Sequence, residues 1–274
     1  MKQAILIGAY KKPELLKKLI GLFPAEYFNI YVHLNVIGEI NVKQFRKELA
    51  HLNHVHIFSK YKIKWGGRNH LLAFLHISEQ ALKNPENYFF HYITGQDLPV
   101  KPIDYFINEL DTTKDYIQTV PYPVAHLPEG AMDWYDYYLF FDWLDSRKYL
   151  KYIKLIKIFQ KKIGFKRRFD QYFKQKYYGS TYWSLTRNTL QYVIDYTKNK
   201  PGFLRRLKYT FAAEEIYFST IVLNSPYVKN VVNNNLRFMK WEANGKTGSP
   251  KVLDEFDWQE ILASGKLFAR KFEE

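Results

Sequence analysis

A chain of 274 residues, 47% hydrophobic and 18% aromatic, can build one large packed domain or two small ones. It has no cysteine and no Asn-x-Ser/Thr sequon, which excludes disulfides, thiol nucleophiles and N-glycosylation and fits a reducing, cytoplasmic setting. The net charge of +14, from 41 Lys+Arg against 27 Asp+Glu, favours polyanionic partners: nucleic acid, anionic lipid headgroups or phosphorylated substrates.

Residues 3–9 read as a buried first strand, too short an apolar run for a signal peptide. Pro13 suits the first turn of a helix whose inner stripe is Leu15, Leu16, Leu19, Ile20 and Phe23. Strand patterns follow at 30–34 and 55–58. A helix over 69–82 then turns Leu71, Leu72, Leu75 and Leu82 inward, and a strand at 88–94 precedes a helix starting near Pro102 and a strand at 116–120. Alternating strands and helices imply a mostly parallel sheet with helices on both faces. Ligands bind such sheets beyond the carboxyl ends of strands, which singles out Ala9, Tyr10, Asn35, residues 59–65 and the Gly95-Gln-Asp97 turn. No Gly-x-Gly-x-x-Gly or Gly-x4-Gly-Lys-Ser/Thr loop follows the first strand, so dinucleotide and P-loop enzymes are disfavoured.

From 134 to 178 the period becomes helical. Leu139, Phe140, Trp143, Leu150, Ile153 and Phe159 alternate with lysines, as in one or two amphipathic helices carrying a lysine face. Residues 147–176 hold twelve Lys/Arg against one acid, Asp170. A solvated helix is the plain reading. The shortage of acidic partners at i,i+4 spacing points instead to docking on an anionic membrane surface. No apolar run approaches the roughly 20 residues that span a bilayer, so the expected location is cytoplasmic, peripheral at the inner membrane face. Beyond this segment come a strand at 180–185, helices at 187–198 and 214–223, strands at 228–232 and 236–241, a helix near 257–263, and an apolar tail containing Arg270 and Lys271.

The chemistry narrows by elimination. His51, His54 and His56 read as ordinary strand histidines, no Asp-x-Asp occurs, and no Gly-x-Ser-x-Gly elbow is present. Glu214 and Glu215 stand where a loop enters an otherwise apolar helix. The helix dipole alone accounts for two acids there, but placing carboxylates in apolar surroundings costs desolvation unless they have a task or a partner. On Glu215 two effects oppose: the helix start lowers its pKa and burial raises it. A nucleotide-sugar transferase needs a carboxylate base, a nucleoside pocket and positive charge for the departing diphosphate, and the chain has candidates for all three.

Four blocks in order carry a resemblance over nearly the whole chain: Lys64-Trp-Gly-Gly67, Phe90-His-Tyr-Ile-Thr-Gly-Gln-Asp97-Leu-Pro99, Gly179-Ser-Thr-Tyr-Trp183-Ser-Leu-Thr-Arg187, and Phe211-Ala-Ala-Glu-Glu215-Ile-Tyr-Phe-Ser-Thr220. The tail segments Ser249-Pro-Lys251 and Leu267-Phe-Ala-Arg-Lys-Phe272 support them. On these residues the chain resembles a bacterial member of the core-2/I-branching β-1,6-N-acetylglucosaminyltransferase family, which includes peptide O-xylosyltransferases. The resemblance implies one GT-A-like α/β domain over 1–274, with a basic helical insertion at about 134–178. It implies an inverting, metal-independent enzyme without a cofactor that moves a sugar from a UDP-sugar donor to a glycan acceptor, lipid-linked, in bacterial surface polysaccharide or lipooligosaccharide synthesis. N-acetylglucosamine is the first expectation for that sugar, xylose or another the alternative.

Residue by residue, the resemblance makes Glu215 the base and gives the leaving diphosphate to Lys271, helped by Lys251 or Arg270. It sets Ala9, Tyr10, Asn35, Trp65, Gly66 and Asp97 in the donor region, with Asp97 either touching donor or bracing its loop. Trp241, Trp183 and Glu214 fall on the acceptor side, and Glu214 is equally a helix cap or support. Two departures stand out: Ala212-Ala213-Glu214 replaces Cys/Ser-Pro-Asp, and His33-Leu34-Asn35 replaces His-Val-Asp. The rival readings are a basic nucleic-acid- or membrane-binding protein without catalysis, for which no nucleic-acid motif is present, and an inactive scaffold of the same fold.

Overall fold

The structure, a computed structural model, describes residues 1–169, 171–241 and 249–273. Strand β1 (Lys2–Ala9) is buried along most of its length, and α1 (Pro13–Gly21) follows with proline in its first turn and Leu15, Leu16, Leu19 and Ile20 buried. Strand β2 (Phe28–Leu34) is buried throughout. The short α2 (Val42–Glu48), whose N-cap Asn41 accepts from Gln44 N, carries one buried side chain, Phe45, and therefore leaves no apolar stripe in the sequence. Strand β3 (Val55–Phe58), α3 (Asn69–Leu82) and β4 (Asn87–Thr94) lie where periodicity puts them, although Leu72 is only half-buried. After β5 (Asp97–Pro99), the helix expected near Pro102 closes as a π-turn over Tyr105–Glu109.

Strand β6 (Asp115–Tyr122) leads to α4 (Met132–Asp136) and α5 (Ser146–Lys162). Residues 163–169 and 171–175 are not helical, so the basic segment forms one long helix and then a loop. Strand β7 (Lys176–Thr186) starts earlier than its alternation suggests. Helices α6 (Arg187–Asn199), α7 (Gly202–Arg206) and α8 (Ala213–Leu223) follow, then β8 (Val231–Val232), β9 (Arg237–Met239), α9 (Trp258–Ala263) and β10 (Phe268–Arg270).

The seven-stranded sheet has the order β3-β2-β1-β4-β7-β6-β8. Neighbours pair in parallel except around β7, which is antiparallel to both β4 and β6. Strands β5, β10 and β9 form a second small sheet. One face of the large sheet packs Leu71 and Phe74 of α3, Val193 of α6 and Phe218 of α8 in one apolar cluster; the other packs Leu16 of α1 and Phe45 of α2 with Phe106 and Phe268. Each fully buried side chain of this kind contributes roughly 1.5–3 kcal/mol. Register then builds a rim: Ala9 lies opposite Leu34, and Gly8 opposite Thr94. The residues after three parallel strands are thereby gathered at one edge. Val120 of β6 lies opposite Tyr178 of β7, so Tyr178 sits toward the carboxyl end of β6.

Candidate active site

Helix α8 is buried along nearly its whole length, and Thr220 ties it to the sheet. Thr220 Oγ1 accepts from Tyr177 N and donates to Tyr177 O, both at 3.0 Å, which fastens the helix to β7. The turn into α8 is held as tightly. Ala212 takes a left-handed conformation (φ 44°), a strained choice for a residue with a Cβ. Its N donates to Gly66 O at 2.9 Å, and its carbonyl accepts from the Tyr135 hydroxyl at 3.2 Å. Gly66 has φ +76°, and a Cβ there would lie 2.5 Å from the Phe211 ring, so only glycine lets the loop after β3 reach this turn.

The two glutamates of this turn have different surroundings. Glu214 is buried; its Oε1 lies 2.9 Å from His70 Nδ1, and its Oε2 has no hydrogen-bond partner. Glu215 is half-buried and accepts a hydrogen bond from the Tyr178 hydroxyl. Burial pushes the Glu215 carboxyl up to about 8, the neighbouring Glu214 charge adds to the rise, and the Tyr178 hydrogen bond pulls it back. Burial therefore wins over the helix start. Tyr178 is itself held well above the ordinary phenol range by burial and the Glu215 charge, so it stays a donor. Aromatic rings wall this position. Trp65 and Trp134 pack on Phe211 with centroids 5.1 and 4.9 Å away, and Trp134 lies 6.0 Å from Tyr178.

Tyr92 links this turn to the opposite side of the site. Its ring packs on Phe74 at 3.6 Å, and Phe74 meets His70 at 4.3 Å. Burial, Glu214 and Asp97 all push its phenol pKa up, so it lies within reach of both charges. Gly8 leaves room for this ring, since a Cβ there would fall 2.5 Å from the Tyr92 hydroxyl. Beyond it, the fully buried Asp97 accepts from Thr94 N at 2.6 Å and from Arg270 Nη1 at 3.0 Å. Arg270 also donates to Thr94 Oγ1 and lies over the Tyr182 ring. Both charges tie β10 to the turn after β4.

Three more of the expected residues have partners within the fold. Lys251 is held by Asp254 at 3.1 Å and the buried Asp257 at 2.7 Å; its charge is spent at the start of α9. Asn35 donates from Nδ2 to Ile63 O at 2.9 Å and accepts from Ile63 N at 2.8 Å, so its amide holds the loop after β3. An aspartate could not donate to that carbonyl, which accounts for Asn at this position. Trp183 is fully buried with its ring 4.9 Å from Phe218 and offers no face to a sugar.

Of the other expected residues, Ala9 is buried and the aromatic ones are open. Tyr10 and Trp65 are exposed, beside Ala9 and Gly66 respectively. Trp241, 60% exposed, borders a cleft of about 330 Å³ lined by Gln118, Asn233, Asn234, Arg237 and Lys266. Lys271 Nζ lies 3.2 Å from Ser249 Oγ and 3.5 Å from Glu273 Oε1. Lys11 Nζ, at the end of β1, reaches the same Glu273 oxygen at 3.3 Å. Two lysines therefore converge on one carboxylate near the end of β1. Tyr178, His70, Trp134 and Lys11 are the site residues that sequence reasoning misses. His70 and Tyr178 lie beside the first and third blocks, a signal of neighbourhood without role. Among the described residues, no three His, Cys, Asp or Glu converge to hold a metal ion.

The chain matches the profile of the Core-2/I-Branching enzyme family over residues 4–132 and 141–262. Comparison with curated proteins returns no match. Among solved structures, the chain is similar over its full length to 46% of the WbbM bifunctional glycosyltransferase, at 10% identity and a TM-score of 0.42. It is similar over 43% of its length to 21% of S. aureus TarS (15% identity, TM-score 0.32). A third is a Pyrobaculum calidifontis mannosyltransferase, solved with GDP-Man and Mn²⁺, matched over 45% of this chain and 36% of that one (11% identity, TM-score 0.30). The chain spans less than half the length of each. The profile match covers nearly all of the sequence and embraces both Glu215 and the loop of Trp65 and Gly66 that anchors its turn: the chain, with its mixed α/β fold, belongs to the Core-2/I-Branching enzyme family.

Proposed function

We propose that the protein is an inverting transferase in which Glu215 is the general base and the donor is a UDP-sugar, N-acetylglucosamine being the first sugar to test. The acceptor hydroxyl donates its proton to Glu215 as its oxygen attacks C1 from the face opposite UDP. The C1–O bond to the diphosphate breaks in the same displacement, the electron pair leaves with UDP, and configuration inverts from α to β. The observation that carries this reading is the half-buried Glu215 carboxyl, raised to about 8 and oriented by Tyr178 at the mouth of an aromatic-walled turn. A base with a pKa near the working pH is the efficient choice for such a proton transfer.

Lys271 and Lys11 supply the positive charge for the leaving group. Glu273, which both lysines now contact, marks the place an anionic group would take. Transfer needs no divalent metal on this reading. Trp241 and the amide-lined cleft beside it suit a glycan acceptor, since an aromatic face and amide groups match the faces and hydroxyls of sugars. The pathway is assembly of a bacterial surface polysaccharide or lipooligosaccharide.

The test is a panel of UDP-sugars assayed for slow hydrolysis and for thermal stabilisation, with and without EDTA. One UDP-sugar should be cleaved in EDTA as fast as without it. A strict Mn²⁺ requirement would overturn the metal-independent part, and stabilisation by no UDP-sugar would overturn the donor class.

A further inference from the structure

We infer that α5 is a docking helix that lays an apolar, lysine-studded face on an anionic phospholipid bilayer. The helix has an inner stripe at i, i+3, i+4 and i+7: Ile153 and Gln160 are buried, and Ile156 and Lys157 are half-buried. Gln160 locks that stripe by accepting from Tyr138 N and donating to Tyr138 O, both at 2.9 Å. The inner side is thus fully engaged, yet the outer side is also apolar. Tyr152, Leu155, Ile158, Phe159 and Ile163 are 52–62% exposed. A solvated helix of a water-facing surface would carry polar residues there.

Charge selects the occupant. The basic segment is not the uniformly unpaired run its sequence suggests. Lys157 and Lys161 bind Asp133 at 2.6 and 2.8 Å, Lys161 also binds Glu129, and Lys166 binds Asp136 at 3.1 Å. These acids lie on α4 and the turn before it, too distant in sequence for an i,i+4 search. On α5 itself, the exposed lysines without a carboxylate partner among the described residues are Lys148, Lys151, Lys154 and Lys162. At 100° per residue beyond the kink at Tyr149, Lys151 and Lys162 fall on the same outward half-turn as Leu155, Ile158 and Phe159, with Lys154 at its edge, and Lys148 is exposed on the turn before the kink. Exposed aliphatic and aromatic side chains set among lysines are what an interfacial helix presents to acyl chains and anionic headgroups. A second copy of this chain would bring the same four positive charges against themselves.

The position of α5 gives the docking a use. The segment 137–145 that leads into it packs on the catalytic turn: Phe141 meets Phe211 at 4.9 Å, Leu139 N donates to Tyr209 O at 2.8 Å, and Asp142 Oδ1 accepts from Asn69 N at 3.3 Å. A bilayer held by α5 therefore lies next to the loop that carries Trp65 and Gly66, where a lipid-anchored glycan could present its hydroxyl. This use rests on the proposed transferase reading; membrane binding itself does not.

The experiment is co-sedimentation of the intact protein with vesicles of phosphatidylcholine alone and of phosphatidylcholine mixed equally with phosphatidylglycerol, at low and high salt. The protein should pellet with the anionic vesicles and release in high salt. Replacing Lys148, Lys151, Lys154 and Lys162 together by Gln should weaken binding about tenfold or more. Leu155→Ser with Phe159→Ser should do the same at unchanged lysine content. Because these side chains are exposed, both variants should keep the native melting temperature and the native rate of UDP-sugar hydrolysis. Failure to pellet with anionic vesicles, undiminished binding of the lysine variant, or tighter retention by a duplex oligonucleotide would each overturn the inference. So would a dimer in light scattering that dissociates in the serine variant. Sedimentation reads no turnover, so a failure here is distinct from a failure of the transferase reading.

Discussion

The pH dependence of kcat/KM offers the sharpest perturbation of Glu215, because its two neighbours move its proton affinity in opposite directions. The carboxyl is raised to about 8 by burial and by Glu214, against the pull of the Tyr178 hydrogen bond. With that pKa, roughly a tenth of the free enzyme carries the ionised base at pH 7, and kcat/KM should climb about tenfold per pH unit up to its plateau. Glu214→Gln keeps the size and an acceptor for His70 but removes the like charge, so the rising limb should move to lower pH by about one unit. Tyr178→Phe removes the donor that favours the ionised form, and the limb should move to higher pH by a similar amount. The assay is initial rate at substrate far below KM over the range from about pH 5.5 to about pH 9.5, with circular dichroism of each variant as the check on folding. The position of the limb is read, not its height, so an effect of Glu214 on acceptor affinity does not confuse the result. If both variants shift the limb the same way, or Tyr178→Phe leaves it in place, the assigned electrostatics of the turn are wrong.

Three further outcomes follow from the same geometry. The raised Glu215 pKa means that its contribution to stability is fully present below about pH 4.5 and is lost as pH rises through about 8; Glu215→Gln should therefore melt higher than the native protein at about pH 9 and not at about pH 4. Lys271→Ala should lower kcat/KM by about tenfold or more through the leaving group, whereas Lys251→Ala should leave donor KM unchanged and lower the melting temperature, because it strips a partner from the buried Asp257. Gly66→Ala must place a methyl against Phe211 at a left-handed residue, a change worth about 1–3 kcal/mol in urea unfolding, and should reduce turnover more than its residual folded fraction explains.

How far the molecule was legible depended on whether its signals are local. Strands β1 to β4 and helices α1, α3 and α6 announce themselves through apolar period and proline placement. Helix α2 buries a single phenylalanine, and β7 runs antiparallel through a sheet whose sequence reads as alternating β and α; neither fact has a local signature. Glu215 could be singled out because a carboxylate entering an apolar helix is anomalous wherever it occurs. Its regulators could not. Tyr178 is 37 residues away along the chain, and His70 lies 144 residues from Glu214. The cations show the reverse error. Arg270, Lys251, Lys157 and Lys161 carry charges that look unpartnered in a linear string and pair with Asp97, Asp257 and Asp133 once the chain folds. Trp183, set on the acceptor side by the resemblance, lies in the core.

The most direct test of the central claim is single-turnover transfer by Glu215→Gln from the UDP-sugar found in the donor panel, with acceptor and enzyme saturating and the melting temperature recorded in the same buffer. The account predicts a folded protein that still binds donor and transfers about 100- to 10,000-fold more slowly. A folded Glu215→Gln protein that transfers at more than half the native rate would contradict it.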